Sequence, residues 1–140
     1  MFIGQYSHNL DEKNRIIIPS KFRAKLGANA IITYGYEQCL TIYTEKAWEH
    51  LQEKLLALSD NKAKHRKHVR ILAGSACECS CDSQGRVILP ANLIAASNIK
   101  KEIVIVGNLD HIEIWAKERW QAYYADAQAN FDELAENLLD

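Results

Sequence analysis

The sequence predicts a mainly β chain with helices, an α+β fold built from two pseudo-symmetric β-α-β repeats with a helical segment after each. Three observations carry this. Asp11-Glu12-Lys13-Asn14-Arg15-Ile16-Ile17-Ile18-Pro19 returns 71 residues later as Asp82-Ser83-Gln84-Gly85-Arg86-Val87-Ile88-Leu89-Pro90, and these are the only prolines among 140 residues. Beyond them Ile31, Thr33, Gly35, Ile42 and Trp48 correspond to Ile103, Ile105, Gly107, Ile114 and Trp120 at an offset of 72, so one residue has been inserted between helix and strand. Short β-prone runs bounded by turn residues alternate with stretches of helical spacing. A duplicated unit this short makes a twofold object from one chain, which suits a repetitive ligand such as duplex DNA.

The first repeat opens on a strand over residues 2–10. Asp11 to Asn14 form a turn, because Asp favours the first turn position and Asn tolerates positive φ, as Gly85 does in the second copy. Arg15 to Ile18 are a short strand rich in β-branched residues. Pro19 suits the first helical position, where its missing N–H is not needed, and residues 20–26 make two helical turns ended by Gly27. Strands follow near 30–34 and 39–43. The second copy repeats the order with a helix over 90–97, then strands near 102–106 and 111–115. Glu45 to Leu58 carries Trp48, Leu51, Leu55 and Leu58 at helical spacing, and a second helix runs from Lys62 to Leu72. Lys117 to Leu139 repeats the pattern as one amphipathic helix whose apolar stripe needs a partner.

Each half alone is too small to bury a comfortable core, so the halves are expected to interlock. With 48% hydrophobic and 25% charged residues the chain is globular, without linker or low-complexity segments. No apolar run reaches the length of a membrane span, and the N-terminus lacks the regions of a signal peptide, so a cytoplasmic protein is expected. Cys77, Cys79 and Cys81 alternate where the first repeat has Tyr6, His8 and Leu10, which predicts three buried free thiols on one packing face of a strand rather than a disulfide or metal site.

Charge divides unevenly. Residues 1–70 hold 12 Lys and Arg against 7 Asp and Glu, whereas residues 71–140 hold 5 against 11. The first half therefore carries the basic surface, as an anionic partner requires. The six glycines are too scattered for a phosphate-cradling loop, and no local signature pairs a nucleophile with a base. No enzyme activity and no cofactor are expected. His65 and His68 are three apart on a helix, but the dense Lys and Arg around them oppose binding of a metal cation.

The repeated Asp-x-x-x-Arg turn remains. In its structural reading Asp caps the turn and Arg pairs with it, an exposed interaction that contributes little. That does not explain why both copies place Arg at the entry of an apolar strand, where a β-branched residue would serve better. An Arg displayed from a rigid hairpin can reach phosphate or the O6/N7 edge of guanine in a major groove. Lys13, Lys21 and Arg23 would supply phosphate contacts around it.

These paired Asp-x-x-x-Arg-(apolar)3-Pro motifs, together with Glu113-Ile114-Trp115 and the Ala73-Gly74-Ser75-Ala76 segment, resemble the MraZ family of bacterial transcriptional regulators in the SpoVT-AbrB superfamily. The resemblance covers essentially the whole chain. It implies SpoVT-AbrB-like repeats over residues 5–47 and 76–119, an interrepeat helical segment over 48–73 and a C-terminal helix over 120–140. It also implies a double-split (swapped-hairpin) β-barrel and a cytoplasmic, nucleoid-associated repressor of the division and cell-wall gene cluster. Such a repressor binds short tandem repeats of double-stranded DNA upstream of its own gene as a ring-shaped homo-oligomer, with no membrane association. Carried over residue by residue, the DNA-contacting motif falls on Asp11 and Arg15 and on Asp82 and Arg86.

The second copy departs from the family pattern. Phe22-Arg23 complies with the expected apolar-Arg pair after Pro-x-x, whereas Leu93-Ile94 does not, and Lys13 and Lys21 are replaced by Ser83 or Gln84 and by Asn92. The first repeat is therefore expected to dominate phosphate contact, with the second serving mainly fold and assembly. An alternative of a different class is an oligomeric protein-interaction module of the same fold, antitoxin-like, gripping a partner through the acidic, aromatic-striped segment from Lys117 to Asp140.

Overall fold

A computed structural model describes residues 1–138. The first repeat contributes β1 (Gln5–Asn9), β2 (Arg15–Ile17), α1 (Ser20–Leu26), β3 (Ile31–Tyr34) and β4 (Leu40–Tyr43), followed by α2 (Glu45–Ala57) and α3 (Ala63–Gly74). The second contributes β5 (Cys77–Glu78), β6 (Arg86–Ile88), α4 (Ala91–Ala96), β7 (Glu102–Asn108) and β8 (His111–Ala116), followed by α5 (Lys117–Ala129) and α6 (Phe131–Leu138). The fold is α+β with antiparallel sheets, and each repeat keeps the same element order.

The two repeats exchange strands. β1 pairs with β7 of the other repeat, β5 pairs with β3, and β4 pairs with β8, giving a sheet of order β1-β7-β8-β4-β3-β5. β2 and β6 form a separate two-stranded ribbon. Beneath both lies one core. Ile16, Ile18, Ile32, Leu40 and Ile42 from the first repeat are buried with Val87, Leu89, Ile103, Ile105, Ile112 and Ile114 from the second. Neither repeat could close this core without the other, which is how so short a unit reaches a stable size. No helix among the described residues is long and apolar enough to cross a membrane.

Several local expectations are corrected. Pro19 and Pro90 sit one position earlier than expected, as N-caps with ψ of 138° and 140°, so their helices start at Ser20 and Ala91. The first strand begins at Gln5 because Gly4 adopts φ 95°, although Phe2 still bridges Leu109. The cysteine strand shrinks to Cys77–Glu78. Its three thiols are free, but only Cys79 is buried, whereas Cys77 is exposed and Cys81 half-buried. Burial pushes the Cys79 thiol up to about 12.

The expected single C-terminal helix is two. Asn130 interrupts it by donating Nδ2 to the Asp126 carbonyl at 2.9 Å, an alternative bond that Asn side chains offer the backbone. α5 packs on the sheet through Trp120 and Tyr123, whose ring centroids lie 5.2 and 4.9 Å from that of Trp115. On α6 Phe131, Leu134 and Leu138 are exposed. Leu139 and Asp140, the last residues of the expected helix, lie outside the described residues.

Candidate nucleic-acid interface

The β2–β6 ribbon has one buried and one open face, as strand alternation requires. Ile16 and Val87, paired in register, point into the core. On the other face Arg15 lies opposite Ile88, and Ile17 opposite Arg86. The outer surface is thus a two-by-two square with the arginines on one diagonal and isoleucines on the other. Ile17 and Ile88 are 44% and 66% exposed, which marks this face as open to a partner rather than a covered part of the fold.

Each arginine is held by its own turn in nearly identical geometry. Arg15 Nε donates to Asp11 Oδ2 at 2.7 Å, while Asp11 Oδ1 accepts the backbone N–H of Lys13 at 2.8 Å and of Arg15 at 2.9 Å. In the second turn Arg86 Nε donates to Asp82 Oδ2 at 2.8 Å, and Asp82 Oδ1 accepts from Gln84 and Arg86, both at 2.9 Å. Asn14 and Gly85 complete the turns at φ 59° and 77°. The turns also brace each other, because Ile18 N–H donates to the Gly85 carbonyl and Leu89 N–H to that of Asn14, each at 2.8 Å.

These bonds hold both carboxyls ionised. The backbone N–H of Arg15 lowers Asp11 below its ordinary value, against some desolvation and with help from the Arg15 side chain and the Lys13 N–H. Asp82 is lowered by its counterparts in the same order. Because only Nε of each arginine is engaged, the Nη groups of both make no hydrogen bond among the described residues. A guanidinium fixed through Nε presents its Nη fork in a set direction, the geometry needed for bidentate bonds to guanine or phosphate.

The basic residues around the ribbon differ in disposition. Lys13 and Lys21 are exposed, on the first turn and on α1. Arg23 is also on α1, but its Nε donates to the Ile18 carbonyl at 2.8 Å and its guanidinium lies over Gly85 of the other repeat. Gln84 and Asn92 leave the second turn without equivalent cations. The repeats thus differ in the cations around their turns but not in how the turns hold arginine, since Arg86 has the same bonds as Arg15 and shares its face. Ile17 and Ile88 escaped the sequence reading as surface residues. The alternation Arg-Ile-Ile, with its middle residue inward, was the available signal.

Comparison with known proteins agrees with the duplication. The family model described as "MraZ protein, putative antitoxin-like" matches twice, over residues 1–71 and 72–140. The chain is 43% identical over 140 residues to a protein of Desulforamulus reducens named transcriptional regulator MraZ, covering 100% of this chain and 99% of the relative. It is likewise 43% identical over 140 residues to the protein of that name from Pediococcus pentosaceus, covering 98% of it. Identity to the one from Limosilactobacillus fermentum is 45% over 135 residues, 96% of this chain and 94% of the relative.

Proposed function

The chain belongs to the MraZ family, and from that premise we propose that it is a sequence-selective DNA-binding transcriptional regulator that reads DNA with the outer face of the β2–β6 ribbon. The observation that carries this is the pair of arginines on one exposed face, each aimed by its own aspartate. A two-stranded ribbon fits the major groove. Arg15 and Arg86 then reach guanine edges, Ile17 and Ile88 offer apolar contact to thymine methyls, and Lys13 and Lys21 approach phosphates from the first-repeat side.

Magnitudes argue for assembly. Diagonal neighbours across an antiparallel pair lie about 7–8 Å apart, only about two base steps at 3.4 Å each. Two bidentate contacts supply roughly 2–6 kcal/mol of discrimination, whereas specific sites are favoured by about 4–10 kcal/mol. A homo-oligomer placing several ribbons on successive short repeats closes that gap through effective concentration. The family resemblance supports a ring as its form, a double-split barrel as the fold of the two SpoVT-AbrB-like repeats, and repression of the division and cell-wall gene cluster from repeats upstream of it, in the nucleoid.

A second reading, the antitoxin-like interaction module, rests on α6, whose Phe131, Leu134 and Leu138 are exposed beside Asp132, Glu133 and Glu136. Truncation after Asn130 separates the two. Loss of assembly with residual DNA binding fits the regulator, whereas unchanged assembly and DNA binding with loss of a protein partner fits the module. The regulator itself is tested by fluorescence-anisotropy titration against the duplex upstream of its own coding sequence and against an unrelated duplex, over a salt series. Preference for the first with a steep fall in affinity as salt rises is expected. A flat salt response contradicts it.

A further inference from the structure

The second reading turn is covered by a side chain that the other repeat supplies. Arg23, on α1, donates Nε to the Ile18 carbonyl at 2.8 Å, and the N–H of that same Ile18 donates to the Gly85 carbonyl. The Arg23 guanidinium occupies the space beside Gly85. A Cβ placed there would overlap Nε and Cζ and come within 2.7 Å of Nη1. Gly85 is consequently buried although its neighbours Ser83 and Gln84 are exposed. The φ of 77° at position 85 suits glycine or asparagine, as Asn14 at φ 59° shows, and the guanidinium on its open side is what favours glycine over asparagine there.

The first turn is built from different residues. The position equivalent to Gly85 is Asn14, and the position equivalent to Arg23 is Ile94, which packs against the core. The repeats have thus settled on two different pairs, Arg with Gly and Ile with Asn. Arg23 is exposed like Lys13 and Lys21, with which the sequence groups it as a phosphate contact, but among the described residues it alone of the three is tied to the protein, through Nε.

From this we infer that Arg23 is a positioning residue for the second reading turn. It clamps the turn from Asp82 to Arg86 against β2, so that Arg86 meets DNA in a fixed pose, and it acts through Gly85 and Ile18 rather than through a phosphate. The inference rests on the proposed reading of DNA by the ribbon, and it carries a distinct energetic signature. A residue acting through Arg86 is non-additive with it, and a residue filling a space shared with Gly85 is rescued by the other repeat's solution to that space.

The experiment is an affinity titration of the upstream duplex with full-length wild type, Arg23→Ile, Arg86→Ala, Arg23→Ile/Arg86→Ala, Gly85→Asn and Arg23→Ile/Gly85→Asn. Amide hydrogen exchange without DNA accompanies it. Arg23→Ile is expected to weaken binding by roughly fivefold to tenfold, within the range for losing a base contact, and to add little to Arg86→Ala. Gly85→Asn also weakens binding, and Arg23→Ile/Gly85→Asn recovers most of both losses. In exchange, Arg23→Ile lowers protection of the Gln84 and Arg86 amides while leaving those of Lys13 and Arg15 unchanged. Full additivity with Arg86→Ala, a salt slope reduced by about one and no recovery in the double variant would assign Arg23 to a phosphate and overturn the inference. Should wild type bind no DNA, the proposed function fails, and exchange still decides the clamp: equal protection in wild type and Arg23→Ile overturns it.

Discussion

Arg15 and Arg86 lie on one diagonal of a single two-stranded ribbon, because Arg15 pairs in register with Ile88 and Arg86 with Ile17. Two residues 71 positions apart in the chain are thereby displayed on the same face, each tied through Nε to an aspartate four residues earlier. The duplication produces a symmetric surface only because the repeats exchange strands. Had each folded on its own, its turn would stand alone.

The aspartates make a prediction whose sign is opposite to that of simple electrostatics. Removing a negative charge near DNA ought to raise affinity. Here Asp11 and Asp82 each organise a turn through two backbone N–H groups and aim an arginine. Asp11→Ala and Asp82→Ala are therefore expected to lower affinity for the upstream duplex, each by about threefold to tenfold, within the scale of a misplaced base contact. Isothermal titration with the two variants checks this, and tighter binding by either would contradict it.

Gly107 tests how the N-terminal segment is held. A Cβ there would come within 2.5 Å of the Ile3 nitrogen and 2.6 Å of the Phe2 carbonyl carbon, both backbone atoms that cannot swing aside. Phe2 is pinned by reciprocal bonds with Leu109 at 2.7 and 2.9 Å and meets Phe22 edge to face at 5.3 Å. Gly107→Ala should cost about 1–3 kcal/mol as an overpacked site, read by chemical denaturation. A variant as stable as wild type would show that the segment is not held as described.

His111 gives the protein a pH dependence near neutrality. Burial opposes its charge, but the Glu113 carboxylate, 3.7 Å from Nε2, and the hydrogen bond between Nδ1 and Asp110 Oδ1 at 2.6 Å outweigh that and raise its pKa above the ordinary 6.5. Burial likewise opposes ionisation of Glu113, yet the His111 ring 3.7 Å away and the hydrogen bonds donated by Trp115 Nε1 and Asn108 Nδ2 leave it below 4.5. The sign follows from linkage. The histidine's contribution is fully present below pH 6.5 and is lost as pH rises through its folded value, while that of Glu113 is present above 4.5 and lost in acid. The gap in melting temperature between wild type and His111→Phe is expected to shrink from about pH 6 to about pH 9. A gap that stays constant would show that the imidazolium contributes nothing.

Much of this was legible in the chain because its signals are local. The Asp-x-x-x-Arg turns, the positive-φ residues Asn14 and Gly85, and the helical spacing between Glu45 and Leu58 declared themselves through short-range geometry. The small size of each half pointed to interlocking, but the particular pairings did not declare themselves, since that of β1 with β7 depends on which apolar strands share a core rather than on either segment's own pattern. The cysteine strand misled because repeat alignment assumes equal partners. β5 pairs with β3 through two residues only, whereas β1 pairs with β7 through five, so Cys77 stays exposed. The break at Asn130 was hidden by apolar residues that keep helical spacing on both sides of it. The packing of Arg23 beside Gly85 was hidden for a related reason, since the two are 62 residues apart.

The central claim is that the two arginines read DNA from one face, and the most direct measurement is the affinity of wild type, Arg15→Ala, Arg86→Ala and the double variant for the upstream duplex, with melting temperatures taken in parallel. The account predicts folded variants that each lose at least about tenfold in specific affinity, with the double variant reduced to the level of an unrelated duplex. Equal binding by all four proteins would contradict it, and would leave the Asp-x-x-x-Arg turns as scaffolding alone.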